Sequence, residues 1–233
     1  MNWQNIKVSE DNTHFLIDGK PVFDKHFIEV LKFHAPGFAP VIDQSGAYHI
    51  NAEGNSLYHE RYNRTFGFYC NRAAVMLNES WFHINENGAR AYNNIYAWCG
   101  NYQEYYCTVR DTNKQYFHID LNGERSYKAD YVYAGDFKDG IACVKLTNGL
   151  FKHIDYKGKF INQMEFLDLG VFHKNFATAK DAQGWHHIKK DGKELYNQRY
   201  HAIEPFYNGM ALVTNFDLGK EIIDENGNLI LKL

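Results

Sequence analysis

A His-Ile pair, followed by glycine four residues after the isoleucine, returns along this chain every 33 to 35 residues. It stands as His49-Ile50…Gly54, His83-Ile84…Gly88, His118-Ile119…Gly123, His153-Ile154…Gly158 and His187-Ile188…Gly192. Ile222-Ile223…Gly227 is a copy without the histidine, and Leu16-Ile17-Asp18-Gly19 is one shortened by two residues. Eight residues beyond the first six glycines comes an aromatic (Phe27, Tyr62, Tyr96, Tyr131, Phe166, Tyr200), and six further on another (Phe33, Phe68, Tyr102, Phe137, Phe172, Phe206). A small residue and, two later, usually Val follow: Ala39/Val41, Ala73/Val75, Cys107/Val109, Ala142/Val144, Ala177/Ala179 and Ala211/Val213. Such a period marks a chain of supersecondary units, each too small to bury its apolar face alone. The chain reads as one β-repeat domain over residues 1–233, with units near 4–35, 36–70, 71–105, 106–140, 141–175, 176–209 and 210–233.

Each unit reads as short antiparallel strands. The Ala-x-Val strand turns through text such as Thr147-Asn148-Gly149 into the His-Ile strand, which turns again at Asn87-Gly88, Asn122-Gly123 or Asp191-Gly192. Asn-Gly and Asp-Gly supply the positive φ angles that tight hairpins need. A third strand ends near Tyr58, Tyr92, Tyr127 and Tyr196, and a fourth, short one is expected between the paired aromatic columns. In the His-Ile strand both faces carry large groups: Trp81, His83 and Asn85 on one, Phe82 and Ile84 on the other. A strand apolar on both sides is sandwiched between layers. The expected fold is all-β, seven tandem antiparallel units, a propeller-like ring being favoured over an open superhelical β-solenoid.

Composition excludes several classes. The chain has 17 Tyr and 17 Phe but 4 Pro, the usage of a strand-rich protein. A net charge of −3 with interspersed signs gives no footprint for nucleic acid or for a membrane surface. The opening Met1-Asn2-Trp3-Gln4-Asn5 lacks the build of a signal peptide, and no apolar run has transmembrane length. Cys70, Cys99, Cys107 and Cys143 lie in strand-like text without CxxC spacing, so free thiols and a cytoplasmic setting are expected.

These columns resemble the bacterial Trp-Gly (WG, or KWG) repeat family, and Tyr116-Phe117-His118-Ile119-Asp120…Gly123…Tyr131…Phe137…Gly140-Ile141-Ala142-Cys143-Val144 matches it best. The resemblance covers nearly the whole chain and departs from the family in two ways. No Trp-Gly dipeptide occurs (Trp81 precedes Phe82, Trp185 precedes His186), and His replaces the usual Tyr before Ile. The resemblance implies a divergent bacterial β-repeat scaffold, used as a binding or accessory module, and brings no catalytic residues.

Repeats also work as an internal alignment. Four residues before the second aromatic the column reads Glu29, Arg64, Trp98, Tyr133, Asp168, Ala202; two before it, Leu31, Phe66, Gly100, Gly135, Gly170, Glu204. Immediately before and after it stand Asn101, Asp136 and His173 among others. If the units ring an axis, these varied columns converge, and Glu29, Arg64, Trp98, Asn101, Tyr133, Asp136, Asp168, His173 and Glu204 form a pocket for a polar small molecule. The glycines would give that ligand room near the backbone. Solvent-exposed, unconstrained columns are the plain alternative.

The histidines His49, His83, His118, His153 and His187 suit a metal or anion site, since imidazole is a common ligand. Recurrence at one place in nearly every unit nevertheless marks a structural requirement, each His bonding its own unit's turn. The Asp/Asn-x-x-Gly text is turn chemistry, without the dense carboxylates of a calcium loop. Asp168, His173 and Glu204 are the candidates for acid–base catalysis. Serine-nucleophile, phosphate-loop and metalloprotease motifs are absent, and no cofactor is expected. The sequence supports a binding module for a small polar or sugar-like ligand or a protein partner. The alternatives are a hydrolase or lyase using the same pocket with Arg64, Asp168, His173 and Glu204, and a purely structural scaffold.

Overall fold

The computed structural model describes residues 1–233. Apart from one 3-10 turn at Trp3–Asn5, capped by the Asn2 side chain, every regular element is a strand. Seven antiparallel sheets follow one another, each made from one continuous stretch of chain. The first holds Lys7–Val8, Phe15–Ile17 and Lys20–Pro21; the second Glu29–Val30, Phe38–Asp43 and Gly46–Asn51; the third Arg64–Thr65, Ala73–Leu77 and Ser80–Ile84. The fourth holds Trp98–Cys99, Cys107–Arg110 and Tyr116–Ile119; the fifth Tyr133–Ala134, Ala142–Lys145 and Phe151–Ile154; the sixth Asp168–Leu169, Phe176–Asp181 and Gly184–Lys189. The seventh has four strands, Ala202–Ile203, Met210–Thr214, Lys220–Asp224 and Leu229–Lys232. The short strand between the aromatic columns is thus real, and it pairs forward, onto the Ala-x-Val strand of the following sequence unit: Glu29 opposite Ile42, Arg64 opposite Met76, Asp168 opposite Lys180. In the second to sixth sheets the text after the His-Ile strand pairs only at isolated bridges such as Ile50–Ser56, Ile84–Arg90 and Ile188–Glu194.

By compactness the chain divides into two bodies, Met1–Lys114 with His118–Arg125, and Gln115–Phe117 with Ser126–Leu233. In the first, the core runs through Phe15, Phe33, Ala39, Val41, Tyr48, Ile50, Phe68, Val75, Phe82 and Ile84. In the second, Phe166, Phe172, Ala177, Ala179 and Ile188 form one cluster, and Tyr196, Tyr200, Phe206, Val213 and Ile223 another. The Ala-x-Val strand is the middle strand of its sheet and is covered on both faces, so Ala39, Ala73, Ala142 and Ala179 are fully buried.

Turns follow the sequence. Asn51, Asp120, Asp155 and Asp224 each accept two backbone N–H groups through one side-chain oxygen, at 2.8–3.0 Å. These side-chain oxygens are committed to the turn. The glycine that closes it has φ near +80° and sits beneath a ring: a methyl group added to Gly88 would meet Tyr58, and one added to Gly227 would meet Tyr196. No helix is long and apolar enough to cross a membrane.

Candidate functional site

The repeated histidines come first, because they decide which residues are free to bind anything. All five are buried. His49 Nε2 donates to the Phe66 carbonyl (2.7 Å), His83 Nε2 to Gly100 (3.0 Å), His153 Nε2 to Gly170 (2.8 Å) and His187 Nε2 to Glu204 (2.9 Å). A carbonyl has no proton to give, so Nε2 carries the hydrogen and Nδ1 is left as an acceptor. That acceptor takes the hydroxyl of the tyrosine nine residues on, Tyr58 to His49 and Tyr196 to His187 (2.5 Å each), and Tyr92 to His83. The imidazoles of His49, His83 and His187 therefore each pin their own unit's tyrosine and, seventeen residues on, the carbonyl just beyond the short strand of the next sheet. The bond to the own unit was expected; the second, to the neighbouring sheet, was not. Burial holds the rings of His49, His83, His153 and His187 down at pKa values of about 4, although the bond to the carbonyl favours the charged form.

One unit breaks the pattern. Nine residues after His153 stands Asn162, whose amide is spent on Lys190 O (3.2 Å) and Met164 N (2.9 Å). His153 Nδ1 is buried and has no hydrogen-bond partner. A buried acceptor left unpaired costs about 1–3 kcal/mol. Met164 and Asn162 lie where a methyl group on Gly192 would point, the place a tyrosine ring holds elsewhere. Asn162→Tyr in a Met164→Ala background is expected to raise the urea midpoint, by about 1 kcal/mol of stability. Asn162→Phe in the same background supplies the ring without the hydroxyl, and an equal gain there would refute the role of the missing donor.

The varied columns do not present a uniform face. Glu29, Arg64, Tyr133, Asp136, Asp168 and Glu204 are exposed; Trp98, Asn101 and His173 are half-buried. The room expected beside the glycines is already taken. The Trp98 ring lies over Gly100, 3.1 Å from where a Cβ would stand; the Tyr133 hydroxyl covers Gly135 at 3.5 Å, and the Thr178 hydroxyl fills the place of a Cβ on Gly170. Asp168 accepts its own neighbour's N–H, Leu169 N (2.8 Å), while His173 Nδ1 meets Lys138 Nζ at 3.2 Å. Glu204 contributes its backbone carbonyl to His187. Asn101 Oδ1 is buried without a hydrogen-bond partner.

Glu29 and Arg64 are brought together. They open the short strands of the second and third sheets and line one cavity of about 230 Å³ with Leu31, Pro40, Ile42, Asn63, Thr65 and Phe66. Leu31 and Phe66 stand two residues beyond the charged pair, on the same strand face. The Phe66 ring stacks on Trp81 (5.3 Å between centroids, 14° between planes), and its carbonyl is the one His49 holds. The cavity wall is thus fixed from behind by the buried histidine. Pro40 and Ile42 escaped the column comparison because they belong to the neighbouring strand Phe38–Asp43, and Asn63 is the residue directly before Arg64.

Seven consecutive antiparallel sheets of this build define an all-β repeat protein of β-propeller-like fold. Residues 119–151 and 188–215 match the family model of the WG containing repeat, the family that the columns of the sequence resemble. Among solved structures the chain is similar to the computationally designed Ika8 protein (TM-score 0.56, 11% identity, 98% of this chain and 83% of that one). It is also similar to BamB from Moraxella catarrhalis (TM-score 0.53, 12% identity, 98% and 86%) and to Hsv2p of Kluyveromyces lactis (TM-score 0.52, 7% identity, 99% and 95%). At such identities the likeness carries the fold alone. No curated protein matches the sequence.

Proposed function

We propose that this chain is a binding module that holds a small polar ligand in the cavity between Glu29 and Arg64. The observation that carries the reading is the cavity's composition. A carboxylate and a guanidinium stand at the ends of two adjacent short strands, over an apolar wall of Leu31, Pro40, Ile42 and Phe66. Ligand sites commonly combine such a wall with a few polar groups that fix orientation. Arg64 offers a planar fork for a carboxylate or phosphate, and Glu29 accepts hydroxyls or an ammonium. The remaining candidates, Trp98, Asn101, Tyr133, Asp136, Asp168, His173 and Glu204, stand outside this cavity's lining.

A melting-temperature screen against small polar metabolites tests the reading. A compound that binds only the native state at a hundred times its Kd stabilises it by about 2.7 kcal/mol. Arg64→Ala and Glu29→Ala are expected to abolish that shift while leaving the ligand-free melting temperature unchanged, since both side chains are exposed. A ligand whose shift survives both substitutions binds elsewhere, and the assignment falls.

A further inference from the structure

The second and sixth sheets share a hairpin that closes Asp43 on Gly46 and Asp181 on Gly184. What surrounds the aspartate differs. In the second sheet Lys25 Nζ pairs with Asp43 Oδ2 (2.8 Å), and the Tyr48 hydroxyl, itself 2.5 Å from Lys25, donates to that oxygen at 2.7 Å. Arg61 stays off the carboxylate. Its guanidinium lies over the Tyr48 ring at 3.8 Å and donates to the carbonyls of Tyr58, His59 and Glu60 and to Ser45 Oγ.

In the sixth sheet the positions of Lys25, Tyr48, Ser56 and Arg61 are held by Met164, His186, Glu194 and Arg199. The site loses a lysine and gains an imidazole and a carboxylate. A ligand atom from each of Asp181, His186 and Glu194 lies within 4.8 Å of the other two. His186 is 2% exposed; its Nδ1 has no hydrogen-bond partner and stands 3.8 Å from Asp181 Oδ2. The resident cation is Arg199, whose Nη2 bridges Asp181 Oδ2 (2.8 Å) and Glu194 Oε1 (2.5 Å). A guanidinium neutralises the two carboxylates, but no hydrogen bond from it reaches the imidazole nitrogen.

We infer that Asp181, His186 and Glu194 form a divalent transition-metal site, in which Zn²⁺ replaces the Arg199 guanidinium between the two carboxylates and takes His186 Nδ1 as its third ligand. One imidazole nitrogen and two carboxylate oxygens form a donor set that zinc accepts, and three protein ligands leave a fourth tetrahedral position for water. Closing the cluster by about 1 Å brings all three atoms to bond lengths of about 2 Å. Arg199 has somewhere to go. It already donates through Nη1 to the carbonyls of Asn197 and Gln198, and Arg61 shows the same side chain held by carbonyls at the equivalent turn, clear of its aspartate.

The full chain, stripped with a chelator, is titrated with Co²⁺ and then Zn²⁺ at neutral pH. One equivalent of Co²⁺ is expected to give the visible d–d absorption of a four-coordinate site, and Zn²⁺ to bleach it. Glu194→Gln, at a half-exposed side chain that the fold does not need, is expected to weaken binding by about tenfold or more, since loss even of an outer-shell partner costs that much. His186→Gln should abolish the absorption. Arg199→Gln removes the competing cation and is expected to tighten binding about fivefold, the strength of an ordinary surface ion pair. No stoichiometric absorption in either the native chain or Arg199→Gln would overturn the inference. So would binding that both Glu194→Gln and His186→Gln leave unchanged.

Discussion

Acidification from pH 7 to pH 4 is expected to unfold this protein before most of its carboxylates have taken up a proton. His49, His83, His153 and His187 are buried neutral, with pKa values lowered from 6.5 to about 4 by desolvation. The unfolded chain binds a proton at each ring below pH 6.5, while the folded chain resists until about pH 4. Stability from these groups is therefore fully present above pH 6.5 and is lost as the pH falls toward 4. At 1.36 kcal/mol per pKa unit, each ring accounts for about 3 kcal/mol over that window. Two such losses rival the whole stability of an ordinary domain, about 5–15 kcal/mol. Urea midpoints measured in half-unit steps from pH 7.5 to 4 check this. Midpoints flat down to pH 4.5 would show that the rings are more easily protonated in place than their burial implies. Asp11, pulled down to about 2 by the Ser9 and Thr13 hydroxyls, titrates well below the window.

Gly123→Ala is expected to cost about 3–8 kcal/mol, far more than the same change at Gly149. Both glycines have positive φ, +79° and +87°, so each alanine incurs about 1–2 kcal/mol of backbone strain. At Gly149 nothing lies within 4 Å of the added methyl group, and strain is the whole cost. At Gly123 the methyl group falls on the face of the Tyr92 ring. That ring must tilt away, adding overpacking of about 1–3 kcal/mol. Tilting also withdraws the Tyr92 hydroxyl from His83 Nδ1, leaving a buried acceptor unpaired at a further 1–3 kcal/mol or so. Paired urea melts decide the point. Equal losses at the two sites would mean that the tyrosine is not clamped between turn and histidine.

The architecture was legible because the requirement for burial recurs at fixed spacing. Ala39/Val41 and their equivalents, the His-Ile pairs and the two aromatic columns all mark positions the fold must cover, and they reappear in the core. The phase of the sheets was not legible. Glu29–Val30 reads as the end of one sequence unit, yet it pairs with Phe38–Asp43 of the next, because a short strand needs a neighbour with free N–H and C=O groups. The site was half legible. Glu29 and Arg64 share a column, so adjacency of sheets brings them to one cavity. Trp98 and Tyr133 share that column too, but their rings fold back over Gly100 and Gly135 two residues later, where an absent side chain leaves apolar space. Asp181, His186 and Glu194 escaped notice for another reason. They meet across a hairpin, along the chain, and a comparison made from unit to unit looks in the other direction.

The buried histidine also sets which changes in length the chain tolerates. From His49 to Phe66, His83 to Gly100, His153 to Gly170 and His187 to Glu204 the bonded partners stand seventeen residues apart, and the tyrosines of three of these histidines stand nine apart. An insertion inside either span moves a donor off its acceptor and strands a polar atom in the interior. The hairpin between the middle strand and the His-Ile strand lies outside both spans, and it is there that the period drifts between 34 and 35 residues; the one 33-residue step belongs to the first unit, whose Asp18-Gly19 turn is shorter and which has no histidine to hold. Duplicating or deleting a whole unit preserves both distances at once. Length in such a chain therefore changes either by a residue or so at one hairpin or by an entire unit, with little permitted between.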